Sequence, residues 1–144
     1  MATTVHATTE VCLAARDASR VLATLPTDAK DAALEAMATA LEDRSDEILG
    51  ANALDMEAGA ARGLSPSLLD RLRLDDGRLA GMAFDVRAIA SLPDPVGETI
   101  EARTLDNGLE VRRVRVPLGV VAVVYEARPN VTIDCSALLS LIHI

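Results

Sequence analysis

Aromatic residues are almost absent from this chain of 144 residues, which has one Phe, one Tyr and no Trp. Because Phe84 and Tyr125 are its only aromatic rings, stacking on several nucleobases and aromatic cages for cations are excluded as binding modes. Basic residues are also few, with 14 Lys and Arg against 22 Asp and Glu and a formal net charge of −8. Such a chain repels phosphate backbones and anionic lipids, so we expect neither nucleic acid nor a membrane as partner.

Cysteine and histidine are scarce, and they lie far apart along the chain, at Cys12, Cys135, His6 and His143. This spacing does not fit a structural zinc site, so we expect no metal. No basic region precedes the short apolar stretch at 11–15, and the longest apolar run, 117–125, is too short to cross a bilayer. We therefore expect a cytoplasmic protein in which both thiols are reduced.

Apolar side chains recur at helical spacing through the first ninety residues. The stripe from Val11 to Leu25 predicts a first helix, which Pro26 ends. Four more helices are predicted to begin at the capping residues Thr27, Ser45, Ser65, and Asp75 or Asp76. Of these five helices, the third is predicted to have Gly63 as its C′ residue, and the fourth to have Pro66 as its first residue.

Strands are predicted after the two prolines of 92–97, which cannot continue a helix. An Asn-Gly turn at 107–108 predicts a hairpin between Thr99–Arg103 and Glu110–Val116. The run Val120–Val124 is apolar and β-branched at four of five positions, which is typical of a strand buried on both faces of a parallel sheet. Parallel partners need a crossover connection, and little chain follows, so we expect the front part of a longer α/β protein.

The turn after this run, Tyr125–Asn130, lies where open α/β sheets bind their ligands. Asn130 offers a neutral amide donor for an oxyanion, and Arg128 offers a bidentate cation for a carboxylate or a phosphate. Thr132 is predicted to cap the next helix, whose first amides favour an anion. Spacing alone favours another interpretation, in which Asn130 only caps that helix and Arg128 pairs with Glu126.

The run RVPLGVVAVVYEARPNVTID (115–134) resembles the signature of the gamma-glutamyl phosphate reductases, also called glutamate-5-semialdehyde dehydrogenases, of the aldehyde dehydrogenase superfamily. The resemblance extends from the first helix to about Ala137. Four shorter segments agree with that family in order and spacing: AN..D at 51–55, GLSPSLLDRLRL at 63–74, LPDPVGE at 92–98 and NGLEVRRVRVPLG at 107–119.

The resemblance implies an α/β fold that forms the N-terminal part of an aldehyde dehydrogenase-like architecture. It divides the chain into a helical segment at 1–97, a β-hairpin of the oligomerisation element at 98–116, and the start of an NADPH-binding domain at 117–144 that opens with the first strand of a Rossmann-like sheet. It also implies NADPH-dependent reduction of L-glutamyl 5-phosphate to L-glutamate 5-semialdehyde and phosphate, in proline biosynthesis, by a homo-oligomeric enzyme. Asn130 matches the asparagine that stabilises the oxyanion, and we assign Arg128 to substrate binding.

Two features depart from the family. The catalytic cysteine of the family lies further along the chain and has no counterpart here. Cys135 is no substitute, because no nearby histidine activates it, and we predict that Cys135 is a thiol packed within a helix. After Ala137 the family continues through a lysine and a Ser-Gly-Asn turn that carry cofactor contacts, whereas this chain reads LLSLIHI at 138–144, which we interpret as a non-native tail. We therefore expect a fragment without reductase activity of its own.

Two other functions remain open from the sequence. The first is another acyl-phosphate or acyl-thioester reductase of the same superfamily, which the motif YEARPNVT at 125–132 disfavours. The second is a non-enzymatic helical module that binds a protein through its alanine-rich faces, against which the apolar run at 120–124 argues. The uncharged edge of that run predicts that the fragment self-associates.

Overall fold

The computed structural model describes residues 8–126 and 128–141, with side chains described up to residue 139. Both histidines and the last three residues of the proposed tail lie outside this part of the chain. Within it the elements are, in order, α1 (Thr8–Leu22), α2 (Thr27–Asp43), α3 (Ser45–Ala61), α4 (Pro66–Leu72), α5 (Asp76–Ala90), β1 (Thr99–Thr104), β2 (Glu110–Val114) and α6 (Pro129–Leu141).

The ends of α3, α4 and α5 follow the local sequence signals. The Ser65 side chain accepts a hydrogen bond from the Leu68 amide and precedes Pro66, which is the first residue of α4. Asp75 caps α5 in the same way, accepting from the Arg78 amide at 2.8 Å. Gly63 follows α3 with φ of +77°, as the C′ position of a helix requires. These predictions are confirmed.

Three predicted N-caps are wrong. Thr27 and Ser45 are the first helical residues of α2 and α3, not the residues before them. The Thr27 hydroxyl instead donates to the Asp94 carboxylate at 3.2 Å. Thr132 lies inside α6, because that helix already begins at Pro129, whose fixed φ suits the first helical position.

The hydrophobic core is formed by α2, α5 and α6. Its most deeply buried side chains are small or aliphatic, which allows the helices to approach closely, and they are Leu34 and Ala38 of α2, Ala83 and Val86 of α5, and Ala137 of α6. The core therefore joins helices that precede the hairpin to the helix that follows it. Seven of the eight buried core residues belong to α2 and α5, and Ala137 of α6 completes the cluster, so the core extends beyond the helices of the self-contained module.

The hairpin forms as predicted. β1 and β2 pair antiparallel from Thr104 opposite Glu110 to Thr99 opposite Val114, with one irregularity between Thr99 and Glu101. The turn is closed by the Leu105 amide, which donates to the Leu109 carbonyl at 2.9 Å, and Gly108 has φ of +85°. Every residue of both strands is exposed, so the hairpin has no apolar face covered within the described residues.

The buried strand expected at Val120–Val124 does not form in the described residues, where the only sheet is the two-stranded hairpin. Its valines are exposed, and Val124 is 99% exposed. The physical reason is that a strand exists only through hydrogen bonds to a neighbour, and the hairpin does not pair with this segment. The apolar stripe of α1 is only partly covered: α1 has no buried residue, and Ala15 and Leu22 are half-buried beside Val120, Val121 and Leu139.

Candidate functional site

A cleft of about 470 Å³ lies where α4, the start of α5 and the start of α6 meet. Arg128, Pro129 and Asn130 line it from the α6 side, so the structure brings both predicted site residues to one place. The opposite walls come from α4, α5 and the residues between them, and consist of Asp70, Arg71, Arg73, Leu74, Arg78, Gly81, Met82 and Asp85.

Asn130 is exposed in the first turn of α6. Its side-chain amide donates to Asp134 Oδ2, one helical turn away, at 3.5 Å. A contact of this length is at the weak limit for a hydrogen bond, so the amide donor is available to a ligand in the cleft. Among the described residues no backbone amide donates to the Asn130 side chain, which is the contact that a capping role needs.

The neighbouring carboxylates make one side of the cleft negative. Asp85 lines the cleft, and Asp134 is half-buried behind Asn130. Burial raises the pKa of Asp134, the negative charge of Asp85 raises it further, and the hydrogen bond from Asn130 lowers it in part.

Most of the cleft wall is positive. Four arginines line it, Arg71, Arg73, Arg78 and Arg128, against two carboxylates, Asp70 and Asp85. The Asp70 carboxylate is already neutralised, because Arg78 Nη2 donates to its Oδ1 at 2.9 Å. Among the described residues Arg128 forms no ion pair with Glu126, the partner of the alternative interpretation. Within a chain of formal charge −8, this wall is a local excess of positive charge.

Two residues hold the arginine-bearing segment between α4 and α5. Arg78 Nη1 donates to the carbonyls of Asp70 and Arg73, the latter at 2.7 Å. Asn52, which is 6% exposed on α3, donates to the Leu72 carbonyl and accepts from the Leu74 amide, both at 2.8 Å. The backbone from residue 70 to residue 74 is thus fixed from two sides.

The sequence alone did not single out Asn52, Arg71, Arg73 or Arg78 as residues at the cleft or next to it. A signal for Asn52 was present, because it is the one polar residue on the apolar face that Ile48, Leu49 and Met56 share on α3. A buried amide on such a face needs hydrogen-bond partners, which here are backbone groups of another segment. The arginines carry no comparable signal, because their common destination depends on how three helices pack.

The turn after Val124 contains no glycine that would let the backbone approach a pyrophosphate, and the segment before it belongs to no sheet among the described residues. Cys12 and Cys135 are free thiols, exposed and half-buried respectively. No group of three potential metal ligands occurs in the described part of the chain. Across residues 8–126 and 128–141, no helix combines the length and apolar character needed to span a membrane.

Comparison of sequences finds relatives over most of the chain. It is 56% identical over 131 residues to a gamma-glutamyl phosphate reductase of Roseiflexus castenholzii, covering 90% of this chain and 31% of that protein. It is 56% identical over 124 residues to the enzyme of the same name from Moorella thermoacetica, covering 86% of this chain and 30% of that protein. The chain thus spans about 30% of the length of the curated relatives it matches. No family model matches it.

Comparison of structures gives the same result. The gamma-glutamyl phosphate reductase of Thermotoga maritima superposes with a TM-score of 0.89 and 40% identity, over 92% of this chain and 32% of that one. The enzyme of the same name from Saccharomyces cerevisiae superposes with a TM-score of 0.88 and 33% identity, over 94% of this chain and 34% of that one. The expected fold, part of an aldehyde dehydrogenase-like architecture, is confirmed by these likenesses.

Proposed function

Because the chain is related to gamma-glutamyl phosphate reductases along 90% of its length, we propose that it is the part of such an enzyme that supplies Asn130 and Arg128 to the active site. The whole enzyme catalyses the NADPH-dependent reduction of L-glutamyl 5-phosphate to L-glutamate 5-semialdehyde and phosphate, a step in proline biosynthesis. The observation that carries the proposal is the placement of both residues in one cleft, within a chain 56% identical to reductases of that name.

Asn130 acts on the reacting carbonyl in this proposal. Reduction of an acyl phosphate passes through intermediates with negative charge on the carbonyl oxygen, and a fixed amide donor stabilises that charge without adding its own. The weak contact with Asp134 at 3.5 Å can be exchanged for the oxyanion at little loss. Arg128 binds an anionic group of the substrate, since a guanidinium pairs with carboxylate and phosphate through two parallel hydrogen bonds.

NADPH supplies the hydride when it is bound. We further propose that the enzyme is a cytoplasmic homo-oligomer in which the hairpin β1–β2 belongs to the oligomerisation element. In support, every residue of both strands is exposed, so both faces of the hairpin are available to another surface. The competing reductase of another acyl substrate is not favoured, because the relatives compared above carry the same name.

The test uses the whole enzyme that contains this chain, with Asn130→Ala and Asn130→Asp variants. Loss of one oxyanion donor lowers kcat by about a hundred- to a thousandfold and leaves KM for the acyl phosphate nearly unchanged. Asn130→Asp should be as impaired as Asn130→Ala, because a carboxylate of the same shape cannot donate. The chain of 144 residues is assayed beside the whole enzyme.

A capping role predicts a different result. Loss of a helix cap costs about 1 kcal/mol of stability and leaves catalysis intact. An Asn130→Ala enzyme with a normal kcat and a lowered Tm would contradict the oxyanion role. A whole enzyme that reduces another acyl phosphate but not L-glutamyl 5-phosphate would contradict the substrate.

A further inference from the structure

We propose that Arg71 and Arg73 join Arg128 in an anion site that holds a carboxylate or phosphate group of the substrate, and that Asn52 is the residue that positions the first two. The inference rests on the proposed function for the identity of the substrate, and on the cleft for the site itself. It assigns a role in substrate recognition to α4 and the residues after it, which the sequence analysis left as structural.

The proposed anion site rests on the distribution of charge around the cleft. Arg71, Arg73 and Arg128 are all exposed and line the same cleft, and none of them forms an ion pair among the described residues. Several exposed arginines elsewhere pair with acidic residues, such as Arg44 with Glu47 and Arg115 with Glu98, both at 2.8 Å, whereas Arg62 and Arg103 have no ion pair among the described residues but lie outside the lining of the cleft. In a chain with 22 acidic residues, three unpaired guanidinium groups around one cleft leave a charge that an anionic ligand would neutralise.

The packing of Leu72 explains why Arg71, in the last turn of α4, and Arg73, the residue after α4, are presented together. Leu72, which lies between them, is half-buried, and Leu72 Cδ2 would lie 3.5 Å from a Cβ at Gly59. With this leucine packed against α3, Arg71 and Arg73 remain exposed at the cleft. Arg71 also shares a second depression with Arg128, of about 280 Å³, beside Glu126.

The positioning role of Asn52 rests on the rigidity of the backbone at residues 72–74. Asn52 satisfies the Leu72 carbonyl and the Leu74 amide, and so fixes the backbone on both sides of Arg73. Arg78 fixes the same segment from α5, through the carbonyls of Asp70 and Arg73. A ligand that binds to groups already held in place does not have to order them, so affinity is gained without new contacts.

The first experiment measures anion binding to the 144-residue chain by isothermal titration calorimetry at low ionic strength, with sodium phosphate and sodium L-glutamate as separate probes. We expect at least one probe to bind. Arg71→Gln and Arg73→Gln should each weaken binding by about tenfold or more, as expected for loss of one charge-assisted contact. Arg62→Gln is the matched control, because Arg62 is exposed after α3 and outside the lining of the cleft.

The probes separate the two possible ligand groups. Binding of phosphate alone assigns the site to the phosphoryl end of the substrate, and binding of glutamate alone assigns it to the carboxylate end; either result supports the site. Absence of binding by both probes, or binding that Arg71→Gln and Arg73→Gln leave unchanged, would overturn it.

The second experiment tests the positioning role in the whole enzyme. Asn52→Leu removes both hydrogen bonds to the segment while keeping a side chain of similar size. We expect KM for the acyl phosphate to rise about tenfold or more while kcat falls far less, because the arginines are displaced and Asn130 is not. A lowered Tm with unchanged KM would show a structural role only and overturn the positioning role.

Failure of this inference and failure of the proposed function are distinguishable. An enzyme that reduces L-glutamyl 5-phosphate with a normal KM in the Arg71→Gln and Arg73→Gln variants retains the function and refutes the arginine site. A chain that binds an anion through these arginines, within an enzyme that does not reduce L-glutamyl 5-phosphate, retains the site and refutes the function.

Discussion

Replacing Lys30 by methionine tests the one buried ion pair found among the described residues. Lys30 Nζ lies 2.7 Å from Asp94 Oδ2, and the two side chains are only 4% and 10% exposed. The pair connects α2 to the Pro-rich segment after α5, across 64 residues of sequence. The Asp94 carboxylate also accepts from the Thr27 hydroxyl at 3.2 Å and from the Val96 amide at 2.9 Å.

Lys30→Met leaves the Asp94 carboxylate buried without its cation. Removing one partner of a buried ion pair typically destabilises a protein by about 3–5 kcal/mol, because the other charge stays desolvated. Thr27 and Val96 still donate to Asp94, so we expect the low end, a loss of about 3 kcal/mol in the free energy of unfolding at pH 7. Lys30→Met combined with Asp94→Asn should recover much of that loss, because no buried charge remains.

The pH dependence gives an independent check on the cause. Burial acts to raise the pKa of Asp94, but the hydrogen bonds from Lys30 and Val96 and the charge of Lys30 outweigh it and hold the pKa below its usual value. In the original chain, this stabilisation is therefore complete above the unfolded pKa of about 4 and is lost as the pH falls through the lower folded value. Without Lys30, burial dominates and the pKa rises, so the cost of Lys30→Met should shrink as the pH falls from 7 to 4.

Urea unfolding followed by circular dichroism, at pH 7 and pH 4 and low protein concentration, measures both effects. Arg112→Met is the control, because its ion pair with Glu110 at 3.0 Å is 63% and 68% exposed. Loss of such a surface pair costs about 0–1 kcal/mol. A Lys30→Met loss no larger than that of the control, or one that stays the same at both pH values, would refute the burial argument.

Two further predictions concern packing and association. In α3, Gly50→Ala should stabilise the chain by about 0.5–1 kcal/mol by helix propensity, because nothing lies within 4 Å of the added Cβ. Gly59→Ala should show no such gain, because its Cβ would meet Leu64 Cδ1 at 2.9 Å; equal urea midpoints for the two variants would contradict this. Self-association of the chain, measured by sedimentation velocity, should weaken in Val124→Lys, because Val124 is 99% exposed. The control Leu54→Lys, at a position that is 68% exposed, should leave self-association unchanged. Equal effects of the two variants would show that the segment at 120–124 is not the self-associating surface.

Short-range features of the fold were determined by the sequence itself. The caps at Ser65 and Asp75, the positive φ of Gly63 and the Asn-Gly hairpin each depend on residues within about four positions of one another. Their hydrogen bonds form inside one turn, so the residue types alone predict them. The same holds for placing Asn130 and Arg128 beside one another, since they are two residues apart.

The exceptions lie where distant elements compete with local preference. Thr27 has the side chain of an N-cap, but its hydroxyl donates to Asp94, 67 residues away. Val120–Val124 has the composition of a buried strand, but strand formation needs a second strand, and none lies beside it in the described residues. Local propensity is worth a few tenths of a kcal/mol up to about 1 kcal/mol per residue, so a tertiary contact or its absence overrides it.

The existence of the cleft and the set of residues that line it depend on tertiary structure alone. Its walls come from segments near residues 70, 82 and 130, and the packing of α4 on α3 and of α5 on α2 and α6 brings them together. Asn52 holds the Leu72–Leu74 backbone across about twenty positions of sequence. The sequence determined which chemical groups were available, an amide and several guanidinium groups. These groups meet at one cleft because the helices bury apolar surface against one another. The hydrophobic effect that drives this burial is non-directional, so a local sequence pattern does not specify which distant groups come together.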